Sequence, residues 1–175
     1  FHKFKELSVW IEKEKHQRRN DIIPPQIKIA GNYTSSMMAK WQARRNGYDE
    51  IFFTDENGNI TESTTSNIFI VDGEDNLLTA HENQVLYGIT RKSVLEIARD
   101  ENIKIFEGQI TLDKLKDAKE VFITSSSHII CPVVKIDNQL IPNNDERNLT
   151  NILKKRFSLI TSCNDKKFNH WMESI

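Results

Sequence analysis

Short apolar runs separated by turn signals are the feature that most limits how this chain can fold. Residues 67–71 form the clearest run, because Asn-Ile-Phe-Ile-Val is rich in β-branched and aromatic side chains and is followed by a turn at 72–76. An Asn-Gly pair at 57–58 predicts a hairpin between strands at 50–54 and 60–62. Further strands are predicted at residues 77–79, 103–109, 120–124, 129–136 and 139–141.

Helices are predicted where apolar residues recur every three to four positions. One helix is expected over 34–45, a short one around 112–118 and one over 149–160. Another is expected to begin with Thr90 as its N-cap, because Val94, Leu95, Ile97 and Ala98 follow at helical spacing. Strands outnumber helices and are often joined by turns. The sequence therefore predicts a mixed α/β fold with a largely antiparallel sheet.

Composition excludes several classes of partner. The chain has 175 residues and a net charge of -1, which suits one domain, or one domain with an appendage, and gives no long-range attraction to nucleic acid. No apolar run approaches the roughly 18 residues of a membrane-spanning helix. The two cysteines and five histidines show no metal-ligand spacing, so no metal site is predicted. We expect a cytoplasmic protein with reduced thiols.

Lys28 is the first candidate for chemistry. Pro24 and Pro25 fix an extended approach to it, Ile27 and Ile29 flank it, and Gly31-Asn32 allows a sharp turn just before a helix. A lysine held between apolar neighbours can be a desolvated amine, which Schiff-base chemistry needs. The alternative is a lysine on an extended segment that points toward water.

Three other segments are candidates, and each is weak when taken alone. Glu62 stands at a strand end, where a solvated carboxylate is the usual finding. Residues 88–90, Gly-Ile-Thr, are compatible with a simple helix entry, and the serines at 125–127 with a simple loop. Their order and spacing are more informative than any one of them.

The order of the motifs resembles one family of enzymes. Lys-x-x-Gly-Asn-Tyr at 28–33 is followed by Thr-Glu-Ser-x-x-Ser-Asn-Ile-Phe at 61–69, then Gly-Ile-Thr-Arg at 88–91, then a strand that ends in Thr-Ser-Ser-Ser at 124–127. This series resembles the class IV, pyridoxal-phosphate-dependent aminotransferases, which include the branched-chain and D-amino acid enzymes. The resemblance runs from about Val9 to Ile141, and Gly31-Asn32-Tyr33 favours the branched-chain branch. It implies the large cofactor-binding domain of the D-amino acid aminotransferase-like fold.

The resemblance implies roles for the central residues of a pyridoxal 5'-phosphate site. Lys28 falls on the Schiff-base lysine, which also carries a proton once the substrate amine has displaced it. Glu62 matches the carboxylate that pairs with the pyridine nitrogen. The implied substrates are an amino acid and a 2-oxo acid, and the implied assembly is a homodimer.

The remaining matches concern the phosphate and the substrate. Leu86, Gly88, Ile89 and Thr90 match the phosphate-binding loop, and Ser126 matches a further phosphate donor that also lies near the substrate. Ser127 matches a position whose backbone N–H meets the substrate carboxylate. Tyr33 matches a tyrosine near cofactor and substrate, although a plain core aromatic explains it equally well.

Departures from the family leave alternatives open. Ser63 replaces a common glycine, and Ile129-Ile130-Cys131-Pro132 replaces Glu-Ile-Thr-Pro. The family's smaller N-terminal domain has no counterpart here, so we expect a linker or remnant at 1–20, a large domain at 21–160 and a polar tail at 161–175. The chain is then either a fragment or a naturally short product. An aminodeoxychorismate lyase, which eliminates pyruvate with the same cofactor, and a non-catalytic truncated paralogue are the alternatives to a transaminase.

Overall fold

The computed structural model describes residues 6–13, 23–142 and 148–171, and within them the chain forms nine β-strands and four α-helices. The strands are β1 Leu7–Glu12, β2 Glu50–Thr54, β3 Ile60–Ser63, β4 Asn67–Val71, β5 Leu77–Thr79, β6 Ile105–Glu107, β7 Glu120–Ser125, β8 Ile129–Ile136 and β9 Gln139–Leu140. The helices are α1 Tyr33–Arg45, α2 Ile89–Asp100, α3 Leu112–Lys116 and α4 Leu149–Thr161. Short 3-10 turns occupy Ala30–Asn32, Glu82–Gln84 and Lys166–Trp171.

Six of the strands close into a ring. They follow the order β3-β2-β1-β8-β7-β4, and β4 pairs back onto β3 through Glu62 and Asn67. Strands β5 and β6 extend the sheet beyond β4, and β9 pairs with β8. Most neighbours are antiparallel, whereas β1 runs parallel to both β2 and β8, and β5 runs parallel to β6. The predicted mixed α/β fold is confirmed, and the closure of the sheet is an addition to it.

Successive side chains of each strand point to opposite faces of the closed sheet, so alternate residues pack into two different apolar clusters. On β4, Ile68 and Ile70 join an apolar cluster with residues of β1, β7 and β8, while Phe69 and Val71 pack with α2 and α4. The ring of Phe69 stacks on Phe122 of β7 with centroids 5.1 Å apart. On β2, Phe52 joins the first cluster, and its two neighbours pack against α1.

Strand β1 lies inside the range 1–20, where a linker or remnant was expected. Leu7, Val9 and Ile11 are buried in the core, and β1 takes a central place between β2 and β8. The alternation of these three residues is that of a strand, but it is short and directly precedes a densely charged stretch. Residues 14–20 of the predicted linker lie outside the described residues.

A polar tail was expected at 161–175, and its described part, residues 161–171, packs against the rest of the chain. The 3-10 turn Lys166–Trp171 folds back, and Phe168 is only 3% exposed. Its ring meets Trp171 edge-on at 4.9 Å, and the Arg156 guanidinium of α4 lies 5.8 Å from its centre. Phe168 and Trp171 therefore help to pack this segment against the helices.

Candidate active site

Three loops meet at one end of the ring. The turn between β3 and β4 and the turn after β7 lie there, because β4 runs antiparallel to both β3 and β7. The segment between β5 and α2 lies there too, through the hydrogen bonds of Leu86 to Glu62 and Asn67. The register fixes their closeness: Asn67 at the start of β4 pairs with Glu62 of β3 on one side and with Thr124 of β7 on the other. The sequence motifs around Glu62, Gly88 and Ser126 are thus brought to one edge of the sheet.

Glu62 and Asn67 together hold the backbone of Leu86. The N–H of Leu86 donates to Oε2 of Glu62 at 3.1 Å, and the carbonyl of Leu86 accepts from Nδ2 of Asn67 at 2.7 Å. Both side chains are almost fully buried, at 3% and 5% exposure. Two buried polar groups therefore fix the loop that leads into α2 at the seam where the ring closes.

Gly88 lies in close contact with the side chain of Asn67. A Cβ placed on Gly88 would lie 2.5 Å from Oδ1 of Asn67, closer than any side chain tolerates. Gly88 is also the N-cap of α2, and no side chain caps this end of the helix. The prediction that Thr90 is the N-cap is wrong: Thr90 lies within the first turn, buried, and the helix begins at Ile89.

The uncapped end of α2 therefore presents N–H groups that have no partner within the helix. Ile89 is 82% exposed, and Leu86 is half-buried. Partial positive charge at a helix N-terminus, together with a loop held by two buried side chains, suits an anion such as a phosphate.

Buried hydroxyl groups without partners line the same end of the ring. Among the described residues, the hydroxyl oxygens of Ser63, Ser66 and Thr124 are buried and make no hydrogen bond. The backbones of the first two are joined, since the N–H of Ser63 donates to the carbonyl of Ser66 at 2.9 Å. Buried hydroxyl groups without a hydrogen bond are uncommon in protein cores. Here they supply unused donors and acceptors at this end of the ring.

The turn after β7 carries the predicted serines. Ser126 and Ser127 are exposed, while the hydroxyl of Ser125 lies 3.1 Å from that of Ser127 and accepts from the N–H of His128. Burial and the charge of Lys40 lower the pKa of His128 below its ordinary value, against an opposing effect of Glu50. An uncharged His128 is therefore favoured at neutral pH.

Lys28 lies on the segment that precedes α1, and its side chain is exposed. Its neighbours Ile27 and Ile29 are 46% and 37% exposed, so in this structure the alternative of a lysine facing water is the one observed. Nε2 of Gln26 donates to the carbonyl of Glu82 at 3.3 Å and so ties this segment to the chain just before Leu86.

Tyr33 is the first residue of α1 and is half-buried. Lys28 is exposed and lies five residues before Tyr33 in the chain. The structure therefore assembles the motifs around Glu62, residues 86–90 and residues 125–127, and it places Lys28 on an adjoining segment.

Sequence reasoning missed two residues of this region. Asn67 holds the carbonyl of Leu86, and the available signal was a polar residue at the start of an otherwise apolar strand. Arg91 is completely buried beneath the first turn of α2, where a basic residue on a helix face would ordinarily be exposed. In the sequence, Arg91 is the last residue of the Gly-Ile-Thr-Arg motif, and nothing in that motif indicates burial.

Other reactive groups are ill suited to chemistry. Burial raises the pKa of Cys131 to about 11, so its nucleophilic thiolate is scarce at neutral pH. Within the described ranges, no group of three or more histidine, cysteine or acidic residues could hold a metal ion. None of the helices there is long and apolar enough to cross a membrane.

Comparison with known proteins identifies the family. The family model for amino-transferase class IV matches residues 5–136, about three quarters of the chain. The chain belongs to the class IV aminotransferase family. This confirms the resemblance that the order of its motifs indicated.

The relatives point to one branch of that family. A Methanocaldococcus jannaschii protein is 38% identical over 137 residues, which cover 78% of this chain and 47% of the relative. An Aquifex aeolicus protein is 31% identical over 161 residues, or 90% of this chain and 52% of the relative. Both are named branched-chain-amino-acid aminotransferases, with the assignment marked as provisional in each name. This chain spans about half the length of these curated relatives.

Solved structures agree with the sequence relatives. The branched-chain aminotransferase from Thermoproteus uzoniensis with norvaline superposes with a TM-score of 0.89 at 28% identity, over 97% of this chain and 56% of that one. The branched-chain amino acid aminotransferase from Thermobaculum terrenum, in its PLP form, gives a TM-score of 0.90 at 25% identity, over 98% of this chain and 56% of that one.

Proposed function

We propose that this protein takes part in pyridoxal-phosphate-dependent transamination between an amino acid, with branched-chain donors favoured, and a 2-oxo acid. The observation that carries the proposal is the pair of hydrogen bonds by which Glu62 and Asn67 hold Leu86 next to the uncapped end of α2. They bring a buried carboxylate and the uncapped end of α2 to either side of one short loop.

The residues present fit the cofactor. The N–H groups of Ile89 and Thr90 would hold its phosphate, and Ser126 would add a further donor. Gly88 lets Asn67 pack closely against this loop. The Glu62 carboxylate would pair with the ring nitrogen. When bound, pyridoxal phosphate supplies an electron sink for the negative charge that develops when a proton leaves the amino acid.

Lys28 is proposed as the Schiff-base lysine and as the group that moves the proton at its Nζ. A lysine can do this only while its amine is neutral. Its side chain is exposed on the segment that precedes α1. The N–H of Ser127 is proposed to meet the carboxylate of the substrate, and Tyr33 to border the same pocket from the start of α1.

A second copy of the chain is proposed to cover α1. Met37, Met38 and Trp41 on this helix are 59%, 63% and 56% exposed, whereas Ala39 and Ala43 face β2. Large apolar side chains clustered on one exposed face are typical of an interaction surface. Sedimentation of the complete gene product should show a dimer that dissociates when Trp41 is replaced by glutamate, and an unchanged monomer would exclude this arrangement.

An amino-transfer assay tests the proposed function. The complete gene product, reconstituted with pyridoxal phosphate, is expected to convert 2-oxoglutarate to glutamate with leucine, isoleucine or valine as donor. Pyruvate release from aminodeoxychorismate without an amino acceptor would instead identify the lyase. A protein that neither binds the cofactor nor forms either product would be a non-catalytic relative.

A further inference from the structure

Arg91 is the largest fully buried side chain among the described residues, and the proposed function gives it no role. It lies in the first turn of α2, directly after the loop proposed to bind phosphate. A buried guanidinium is costly unless its N–H groups are paired, so its retention at this position calls for a physical explanation.

One nitrogen of Arg91 anchors it to the two strands that extend the sheet. Nη2 donates to the carbonyl of Ala80, just after β5, at 2.9 Å, and to Oε2 of Glu107 at the end of β6 at 2.8 Å. Glu107 is 29% exposed, and its other oxygen lies 3.5 Å from Nη2 of Arg99. The Glu107 carboxylate is therefore paired with two arginines and does not offset the charge of Arg91 alone.

The guanidinium of Arg91 also contacts Tyr87, a residue of the loop that leads into α2. Cζ of Arg91 lies 4.8 Å from the centre of the Tyr87 ring, in the arrangement of a cation–π contact. Tyr87 stands between Leu86, whose backbone Glu62 and Asn67 hold, and Gly88, the N-cap of α2. The loop is thus held through its backbone on one side and through a side chain on the other.

The remaining guanidinium nitrogens are unusual. Nε and Nη1 of Arg91 are buried and make no hydrogen bond to any described residue. Their positive charge lies in a low-dielectric interior under the uncapped end of α2, and a charge in such surroundings acts more strongly on a nearby anion than an exposed one does. It has the same sign as the helix dipole at this end.

We propose that Arg91 is a positioning residue that, through Tyr87 and its buried charge, holds residues 86–90 in the form that binds the cofactor phosphate. This rests on the proposed function. Arg91 touches neither the phosphate nor the reacting atoms. Its effect is confined to ligands that carry a phosphate, which separates it from a residue that merely supports the fold.

Binding of two ligands tests this directly. Pyridoxal 5'-phosphate and pyridoxal, which lacks the phosphate, are titrated separately into the apo form of the complete gene product. Arg91→Lys and Tyr87→Leu should each weaken binding of pyridoxal phosphate by about tenfold or more and change binding of pyridoxal by less than about twofold. The ³¹P resonance of the bound phosphate should also move toward its position in free solution.

Two variants serve as controls. Tyr87→Phe keeps the ring and should bind both ligands as the unmodified protein does. Phe106→Leu removes a similarly exposed ring that contacts Lys104 at 4.8 Å on β6, and it should also leave both affinities unchanged. Should Arg91→Lys fail to fold, Tyr87→Leu decides, because Tyr87 is 40% exposed and contributes little to the core.

Each outcome bears on a different claim. Unchanged affinity for pyridoxal phosphate in both variants, or an equal loss for both ligands, would overturn the role of Arg91 and leave the proposed function standing. If the unmodified protein binds pyridoxal phosphate and pyridoxal equally well, the role of Arg91 is likewise overturned and the proposed function stands. An unmodified protein that binds neither would overturn the proposed function, and the role of Arg91 with it.

Discussion

Asn67 and Gly88 approach each other so closely that the position of Gly88 admits no side chain. Oδ1 of Asn67 lies 2.5 Å from where a Cβ on Gly88 would stand, while Nδ2 of the same asparagine donates to the carbonyl of Leu86. One side chain thus sets the path of the loop and leaves the end of α2 open. The site at the closing seam of the ring depends on this pair.

Replacing Gly88 by alanine should destabilise the apo-protein by about 1–3 kcal/mol, the usual cost of overpacking a tight contact. The new methyl group would push Asn67 aside and break its bond to Leu86. Urea unfolding of the apo-protein measures the change.

Gly73→Ala is the matched control for that prediction, because nothing lies within 4 Å of a Cβ placed there. It should leave the free energy of unfolding nearly unchanged. The double variant with Asn67→Ala should recover part of the stability lost in Gly88→Ala. Equal stability of Gly88→Ala and the unmodified protein would show that the loop adjusts freely.

Glu62→Gln should slow proton removal from the amino acid while keeping much of the cofactor affinity. The amide oxygen can still accept from the N–H of Leu86, but the negative charge is lost. A hydrogen bond to a charged group contributes about 1.5–3 kcal/mol, so the half-reaction should slow by about 10- to 100-fold. Stopped-flow measurement with a single amino acid donor tests this, with the exposed Glu56→Gln as control. Identical half-reaction rates would remove Glu62 from the mechanism.

His128 should make the protein less stable in mild acid. Its folded pKa is lowered, first by burial and then by Lys40, with Glu50 opposing. The neutral ring therefore favours the folded state above pH 6.5, and this contribution is lost as the pH falls from 6.5 toward the folded pKa. Unfolding temperatures measured from pH 8 to pH 5 should fall less in His128→Gln. Parallel curves for the two proteins would contradict the assignment.

The sequence predicted local elements well where one physical signal dominated. The runs at 50–54 and 67–71 became β2 and β4 with the same bounds, because apolar β-branched residues next to turn signals leave few alternatives. The helix expected over 34–45 became α1, from Tyr33 to Arg45. Its exposed Met37, Met38 and Trp41 show that apolar spacing predicts a helix but does not show which face is covered.

Long-range relationships could not be read from the chain. The ring closes through one pairing, between Glu62 and Asn67, and no local pattern reports a pairing across sheet edges. The sequence favoured Thr90 as the N-cap of α2 because threonine is a favoured capping residue. The N-cap is Gly88, where the contact with Asn67 leaves no room for a side chain. The motif order indicated Glu62 and Gly88, but the roles of Asn67 and Arg91 depend on contacts between distant segments.

The covalent attachment of pyridoxal phosphate is the measurement that tests this account most directly. The complete gene product is reconstituted with the cofactor, its absorption spectrum is recorded, and the sample is reduced with borohydride and mapped by peptide mass spectrometry. We expect a Schiff-base absorption band and a pyridoxyl group on Lys28. Lys28→Ala should lose both, while the exposed Lys92→Ala keeps them. A reconstituted protein without the band, or a band that survives Lys28→Ala, would contradict the account.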